Sequence, residues 1–513
     1  MKNICYKGDM NLLYKSKKRK AGSGQLLTLS IVSACLLMAA CSNDNDNVSV
    51  DDQVMSLVKA AGITGDPSTG RTLPSINDPK AQLGKKLFFT KGLGGNEDSA
   101  CVTCHHPSLG GGDNLSLSIG VNAEAANLLG PGRFHDEIKA ADDNDSEWDG
   151  GPTVPRNAPT TFNIAMWDQV LFHDGRVESI AKTPGANGDD GSGIRTPDSA
   201  FDVADPNAGT TLAAAQSRFP VTSPEEMRGF ANLVPDHNAA DRVAIEDKLK
   251  ADDDWVAEFD AVFGNGTTIT YMLIADAIGE YERSQVFVNT PWKAYVEGDT
   301  AAISEAAKRG AVMFFDSIED GGANCTSCHS SDFFTDEQFH VMATPQVGRG
   351  KGDDNGALPN DDFGRSRESG VMADKYKFRT PTLLNVEVTG PWSHAGAYTT
   401  LENMVRHMLN PAAAVASYDY SQLNPTIQAE HMLTNTQFAL EQLEANRSNN
   451  VADVHRNVTF IEDDITDLVE FLKTLTDPCV KDRACLAPWI PDASDSNPDG
   501  LRLNAIDNTG AFL

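Results

Sequence analysis

The sequence predicts a mainly α-helical protein built from two similar domains. Three observations carry that expectation. Apolar residues recur at helical spacing: in FIEDDITDLVEFLKTLTD, residues Ile461, Ile465, Leu468, Val469, Leu472 and Leu475 fall on one face of a helix. TYMLIADAIGEYERSQVFV (270–288) and ISEAAKRGAVMFF (303–315) read the same way, and strongly alternating strand runs are few. One short motif occurs twice: Cys101-Val-Thr-Cys104-His105 and Cys325-Thr-Ser-Cys328-His329 lie 224 residues apart. A chain of 513 residues has ample material for more than one core.

In chain order, residues 1–40 read as a leader. A basic cluster ending at Lys20 precedes the apolar run Leu26–Ala40, the order of a secretory signal peptide. The run closes in LMAAC, the form of a lipoprotein cleavage box, so Cys41 is the expected lipidated residue and the periplasm the expected compartment, with a lipid anchor as the sole hold on the membrane. Ordinary secretion with cleavage nearby is the alternative. Residues 41–75 begin with polar SNDNDNVSVDD and read as a solvated tether. Residues 76–290 form the expected first domain and 291–478 the second, with a linker near Asn289–Pro291. Gly130–Pro155 and Thr183–Thr210 are rich in Gly, Asp, Pro and Asn and read as long loops in the first half. The Pro- and Asp-rich tail, 479–513, is expected to wrap the surface or hang loose.

The chain has 42 basic and 73 acidic residues, a net charge of −31. Such a surface repels nucleic acid and suits a basic partner, or serves solubility alone. Of nine cysteines, Cys5 and Cys35 fall in the leader, Cys41 takes the lipid, and four sit in the repeated motif. In an oxidising compartment the remaining two, Cys479 and Cys485, are expected to pair as a local disulfide, two free thiols being the alternative.

The repeated motif is best read as a covalent haem anchor. Two thiols must reach two vinyl groups on one porphyrin edge, and the next residue must bring imidazole to the iron; one turn of backbone does all three. A zinc site would need four ligands, usually from two neighbouring pairs, and a redox dithiol would sit in a βαβ context. The sequence therefore implies two c-type haems, with His105 and His329 as proximal ligands. His106 reads as structural.

Around these motifs lie LGKKLFF (83–89), CVTCHHPSLGGGDNLSLSIG (101–120), RNAPTTFN (156–163), FHDGRVES (172–179), EEM (225–227), FRTPTLLNV (378–386), TGPWSHAGAYTTLENMVRHM (389–408) and LVEFLKTLT (468–476). In that order they resemble the bacterial di-haem cytochrome c peroxidases over about residues 80–476. The resemblance implies two cytochrome c-like domains, an N-terminal haem for peroxide chemistry and a C-terminal haem that takes in and stores an electron. It places Met408 as distal ligand of the second haem, with His407 a weaker candidate. It places Gln216 and Glu226 above the first, with Glu225 as the neighbour that could be mistaken for Glu226. A carboxylate there can take a proton from hydrogen peroxide and return it to the outer oxygen. Asn157, Thr389 and Pro391 match positions that hold a calcium ion, and His394 a histidine near the second haem.

Two positions depart from the family pattern. Many members have a histidine where this chain has Val121, and that histidine caps the first iron at rest. Its absence implies an open, high-spin ferric iron, unless His135 of the GPGRFHDE loop replaces it. The family tryptophan between the haems is here His173, which leaves Phe172, Trp167 or direct tunnelling for the electron. The resemblance implies reduction of hydrogen peroxide with electrons from a small cytochrome c or cupredoxin, in a possible homodimer. The alternatives are a related di-haem oxidase that modifies tryptophans of a partner protein, which typically has tyrosine at the Met408 position, and a non-catalytic electron carrier.

Overall fold

Two helix crossings, one in each half of the chain, organise the fold. In the first half the helix Pro79–Phe89 lies against Tyr271–Arg283. In the second, Glu305–Phe315 lies against Glu462–Lys473. Both crossings are close enough to require glycine. A Cβ on Gly84 would sit 1.9 Å from the Ala277 carbonyl oxygen, and one on Gly310 would sit 2.0 Å from that of Asp467. Each glycine is followed by the same pattern, Gly84-x-x-Leu87-Phe88-Phe89 and Gly310-x-x-Met313-Phe314-Phe315. Phe88, Phe89 and Tyr281 fill the first core with Trp255 and Phe259; Phe314 and Phe315 fill the second with Trp292 and Phe471. The helices are capped where the sequence allows: the side chains of Thr270 and Ser304 accept hydrogen bonds from the N–H groups of Leu273 and Ala307.

The structure is a computed structural model and describes residues 48–351, 361–452 and 454–513; the leader and Cys41 lie outside them. The protein is mainly helical, and strands are short. Val170–Leu171, Val177–Ser179 and Ile194–Arg195 form an antiparallel set, and Phe339–Val341 pairs antiparallel with Lys377–Arg379. Among the described residues no helix is long and apolar enough to cross a membrane.

The two halves exchange their ends. Where a solvated tether is expected, Val50–Ala61 is a helix whose Val54 and Val58 enter the core of the second half. Asp51 accepts from the Tyr295 hydroxyl at 2.8 Å and pairs with Lys308 at 2.9 Å. Thr64 N and Gly65 N both donate to Asp332, each at 2.7 Å. The C-terminal tail runs the other way. Leu486, Ile490 and Leu503 enter the core of the first half, and Leu503 N donates to Phe89 O at 2.8 Å. Cys479 and Cys485 are joined in a disulfide at the start of this tail. With ends exchanged, Val48–Leu513 forms one compact unit.

The linker between the halves is held from both sides. Asn163 and Asn385 occupy equivalent places in Pro159-Thr-x-x-Asn163 and Pro381-Thr-x-x-Asn385, and both adopt the left-handed conformation that asparagine tolerates. Asn163 Nδ2 and Asn385 Nδ2 each donate to Phe287 O at 3.0 Å. The stretch 130–155, expected as a loop, contains the helix Glu137–Asp143. Asp143 accepts from Asn96, Asn122, Phe230 N and Ala231 N, which ties this helix to the segment that follows Glu226.

Candidate active site

Each Cys-x-x-Cys-His motif is one tight turn, at Cys101–Cys104 and at Cys325–Ser327. The two histidines are held alike. His105 Nδ1 donates to Gly111 O at 3.1 Å, and His329 Nδ1 donates to Phe334 O at 3.0 Å. A carbonyl partner places the proton on Nδ1 and leaves the Nε2 lone pair for a metal. The backbones of Pro159 and Pro381 lie beside the two rings, so the repeated Pro-Thr-x-x-Asn forms the same wall in each half. All four motif thiols are free and half-buried. Burial pushes Cys101, Cys104 and Cys325 well above the ordinary thiol range. Among the described residues these thiols do not converge on one metal site. The one close set of metal-type ligands among the described residues is Cys328, Asp336 and His340, one short of a closed zinc site.

A cavity of about 470 Å³ runs from His105 to His329 and Met408. Its wall fits a haem carboxylate. Buried Arg379 spends Nε on Phe172 O at 3.0 Å, while Nη1 has no partner. Burial pushes this guanidinium down to about 10, so an anionic group beside it would be welcome. Free thiol pairs, carbonyl-held histidines and an orphaned arginine donor are together what two c-type haems need.

Met408 sits on the helix Leu401–Leu409, capped by Thr400, and borders the cavity with Met404 one turn earlier. His407 does not compete with it. Its Nδ1 accepts from the Tyr398 hydroxyl at 2.8 Å, and its Nε2 donates to Met342 O at 2.9 Å. Asn157, Thr389 and Pro391 border the same cavity. Asn157 Nδ2 donates to Leu115 O and Ser116 O, and among the described residues no hydrogen bond reaches the Thr389 or Pro391 carbonyls. These are neutral oxygens of the kind calcium takes with water. His394 stacks on Phe378 at 3.9 Å and shares a 2.9 Å hydrogen bond with the Thr344 hydroxyl.

Glu226 lies in a wide π-type turn, Pro224–Arg228. Such turns are frequent at functional sites. The SIG segment buttresses it. A Cβ on Gly120 would sit 2.4 Å from the Glu226 carbonyl oxygen and 2.7 Å from its Cα. Arg133 locks that segment by donating to Ile119 O and Gly120 O, each at 2.7 Å. Gly120→Ala is therefore expected to displace the Glu226 backbone, as a structure of the variant would report. Burial, then neighbouring Glu225, raise the Glu226 carboxyl above the usual range, against Arg176 and Lys351. Gln216 and His105 both border the cavity, whereas Glu226 is not among the residues that line it. Val121 is fully buried, and its N–H donates to Glu225 O at 3.3 Å. His135 packs edge-on against Trp148 at 4.7 Å, with Nε2 3.8 Å from Asp145, and does not border the cavity.

Trp167, which borders the cavity, packs edge-on against Phe333 at 5.1 Å. The Arg379 guanidinium covers Trp167 at 3.6 Å, and that of Arg176 covers Phe172 at 3.4 Å. His173 Nε2 donates to Asn157 O at 3.0 Å; burial, then Arg156 and Arg379, push this imidazole down to about 3. One residue escaped the sequence reading. Glu282 borders the cavity from the Tyr271–Arg283 helix; burial raises it to about 8, and Oε2 has no partner. Its signal was a carboxylate inside the apolar stripe of Ile274, Ile278 and Tyr281.

A mainly helical chain with two Cys-x-x-Cys-His turns, whose histidines border one cavity, is the arrangement that a di-haem c-type cytochrome requires. Comparison with known proteins narrows the class. Residues 78–301 match the family model described as Di-haem cytochrome c peroxidase. It is 27% identical over 336 residues to the methylamine utilization protein MauG of Methylorubrum extorquens, covering 65% of this chain and 69% of that one. It is 26% identical over 336 residues to the cytochrome c551 peroxidase of Pseudomonas aeruginosa, covering 65% and 73%. The fold matches the diheme peroxidase BthA of Burkholderia thailandensis with a TM-score of 0.52 at 20% identity, covering 85% and 92%.

Proposed function

We propose that this protein reduces hydrogen peroxide to water at the haem held by His105, with electrons entering through the haem held by His329 and Met408. The observation that carries this reading is the inequality of the two sites. Met408 and His329 border the cavity together, while the Val121 side chain cannot bind a metal and the Glu226 carboxyl stands outside the cavity lining, in the turn packed on the segment that ends at Val121. When bound, the haems supply an iron open to peroxide and a second iron that stores an electron. The chain's own residues do the rest. Glu226 takes a proton from one peroxide oxygen and returns it to the other, so that water leaves. Gln216 holds the peroxide. Two electrons and two protons from outside complete each conversion of peroxide to two waters.

The pH dependence follows from Glu226. It must be ionised to accept a proton, and its carboxyl is raised above 4.5. Turnover should therefore fall as pH drops, along an acid limb above the usual glutamate range. Glu225 is one cause of the rise, so Glu225→Gln should move that limb to lower pH; a pH profile of kcat/KM checks both.

The guanidinium groups over Trp167 and Phe172 disfavour a positive radical on either ring. This supports direct tunnelling between the haems over hopping. Met408, where the tryptophan-modifying oxidases typically have tyrosine, also speaks for the peroxidase. The donor is a small redox protein with a basic face, suited to a net charge of −31. Periplasmic location, lipidation at Cys41 and calcium held by Asn157, Thr389 and Pro391 belong to the same proposal. The direct test mixes half-reduced holoprotein with peroxide and a reduced donor. Catalytic donor oxidation matched to peroxide loss is the expected result, and no peroxide consumption would leave only an electron carrier.

A further inference from the structure

The helix that presents Met408 ends under a clamp that comes from far along the chain. Carbonyls in the last turn of a helix have no partner within it. Here two of them are taken by the segment 455–458. His455 Nε2 donates to Met408 O at 2.6 Å, and Val458 N donates to Leu409 O at 2.9 Å. His455 is itself fixed. Arg447 donates Nη2 to His455 Nδ1 at 2.9 Å, Nε to His455 O at 2.8 Å, and Nη2 to Asn457 Oδ1 at 2.7 Å. Arginine only donates, so Nδ1 must accept and the proton must sit on Nε2, facing the Met408 carbonyl. His455 also borders the cavity that Met408 borders. A thioether side chain is flexible, so its reach to a metal depends on how firmly its backbone is held.

We propose that His455, oriented by Arg447, is a positioning residue that holds the Met408 sulfur at the second haem by fixing the backbone of its last helical turn. This rests on reading Met408 as the distal ligand. The test compares wild-type holoprotein with His455→Ala, His455→Gln and Met408→Leu. Two properties are read: the sulfur-to-iron charge-transfer band of the oxidised protein, and the midpoint potential of that haem. His455→Ala should lose the band and shift the potential downward, toward Met408→Leu. His455→Gln, which keeps an N–H donor at similar reach, should retain both. Should the alanine variant fail to take up haem, Arg447→Met carries the test, with a weakened band and a lowered potential expected. An unchanged band and potential in His455→Ala, or in Arg447→Met where that stands in, would overturn the proposal. So would a glutamine variant as impaired as alanine. A wild-type protein without the band would instead overturn the Met408 reading, and the clamp's role with it.

Discussion

Glu226→Gln lowers peroxide turnover by about 10²–10⁴-fold, the usual worth of a positioned acid–base group, while both haems still take up electrons. The substitution keeps the shape of the turn and removes only the ability to accept and return a proton. Two features of the site make the effect large. The carboxyl is raised by burial and by Glu225, which brings its proton affinity closer to what a neutral-pH transfer needs. Its backbone is also fixed by Gly120 and, through that segment, by Arg133, which holds the carboxyl's anchor point in one place. The measurement is steady-state peroxide reduction alongside an anaerobic reductive titration. Undiminished turnover would move the acid–base role elsewhere, with Glu225 the first candidate. Loss of haem reduction together with turnover would show that the variant had damaged the fold.

Gly310→Ala and Gly84→Ala each destabilise the holoprotein by about 3 kcal/mol or somewhat more, at the upper end of overpacking costs in a tight interior. The added methyl would meet a carbonyl oxygen at 2.0 Å or 1.9 Å, and that oxygen belongs to a helix backbone that cannot rotate away. The helices must part or slide, and either motion disturbs the cores around Phe314 and Phe471 or around Phe88 and Tyr281. Denaturant unfolding followed at the haem band checks this. A change below about 0.5 kcal/mol, the range of a neutral surface substitution, would mean that the crossings are looser than the structure has them.

Much of this was legible from short segments, because the relevant physics is local. The Cys-x-x-Cys-His turns, the apolar faces of 270–288 and 460–477, and the pairing of Cys479 with Cys485 each depend on residues within one or two turns. The exchange of chain ends was not legible. Val54 reaches the core of Phe314, and Leu503 reaches Phe89, across hundreds of residues, and no local pattern encodes such a meeting. Polar SNDNDNVSVDD masked the helix that begins at Val50. The internal duplication was written in the sequence, yet thinly. Gly-x-x-[Leu/Met]-Phe-Phe and Pro-Thr-x-x-Asn each occur twice, and both gain meaning only once the glycines are seen at crossings and the asparagines at the linker.

At the site the same division holds. Met408 and His407 are adjacent in sequence, and only three-dimensional partners decide between them: His407 has both ring nitrogens committed, while Met408 borders the cavity. His455 reads in the sequence as one histidine among eleven; its role follows from a 2.6 Å contact with Met408 O, 47 residues away.

The central claim is that the two irons are unequal, one open on its distal side and one closed by sulfur. Electron spin resonance during stepwise reduction of the holoprotein tests it most directly. The account predicts a high-spin ferric signal from the haem of His105 alongside a low-spin His/Met signal that disappears first. Two low-spin signals that persist at every stage, with no change on adding peroxide at the half-reduced point, would contradict it.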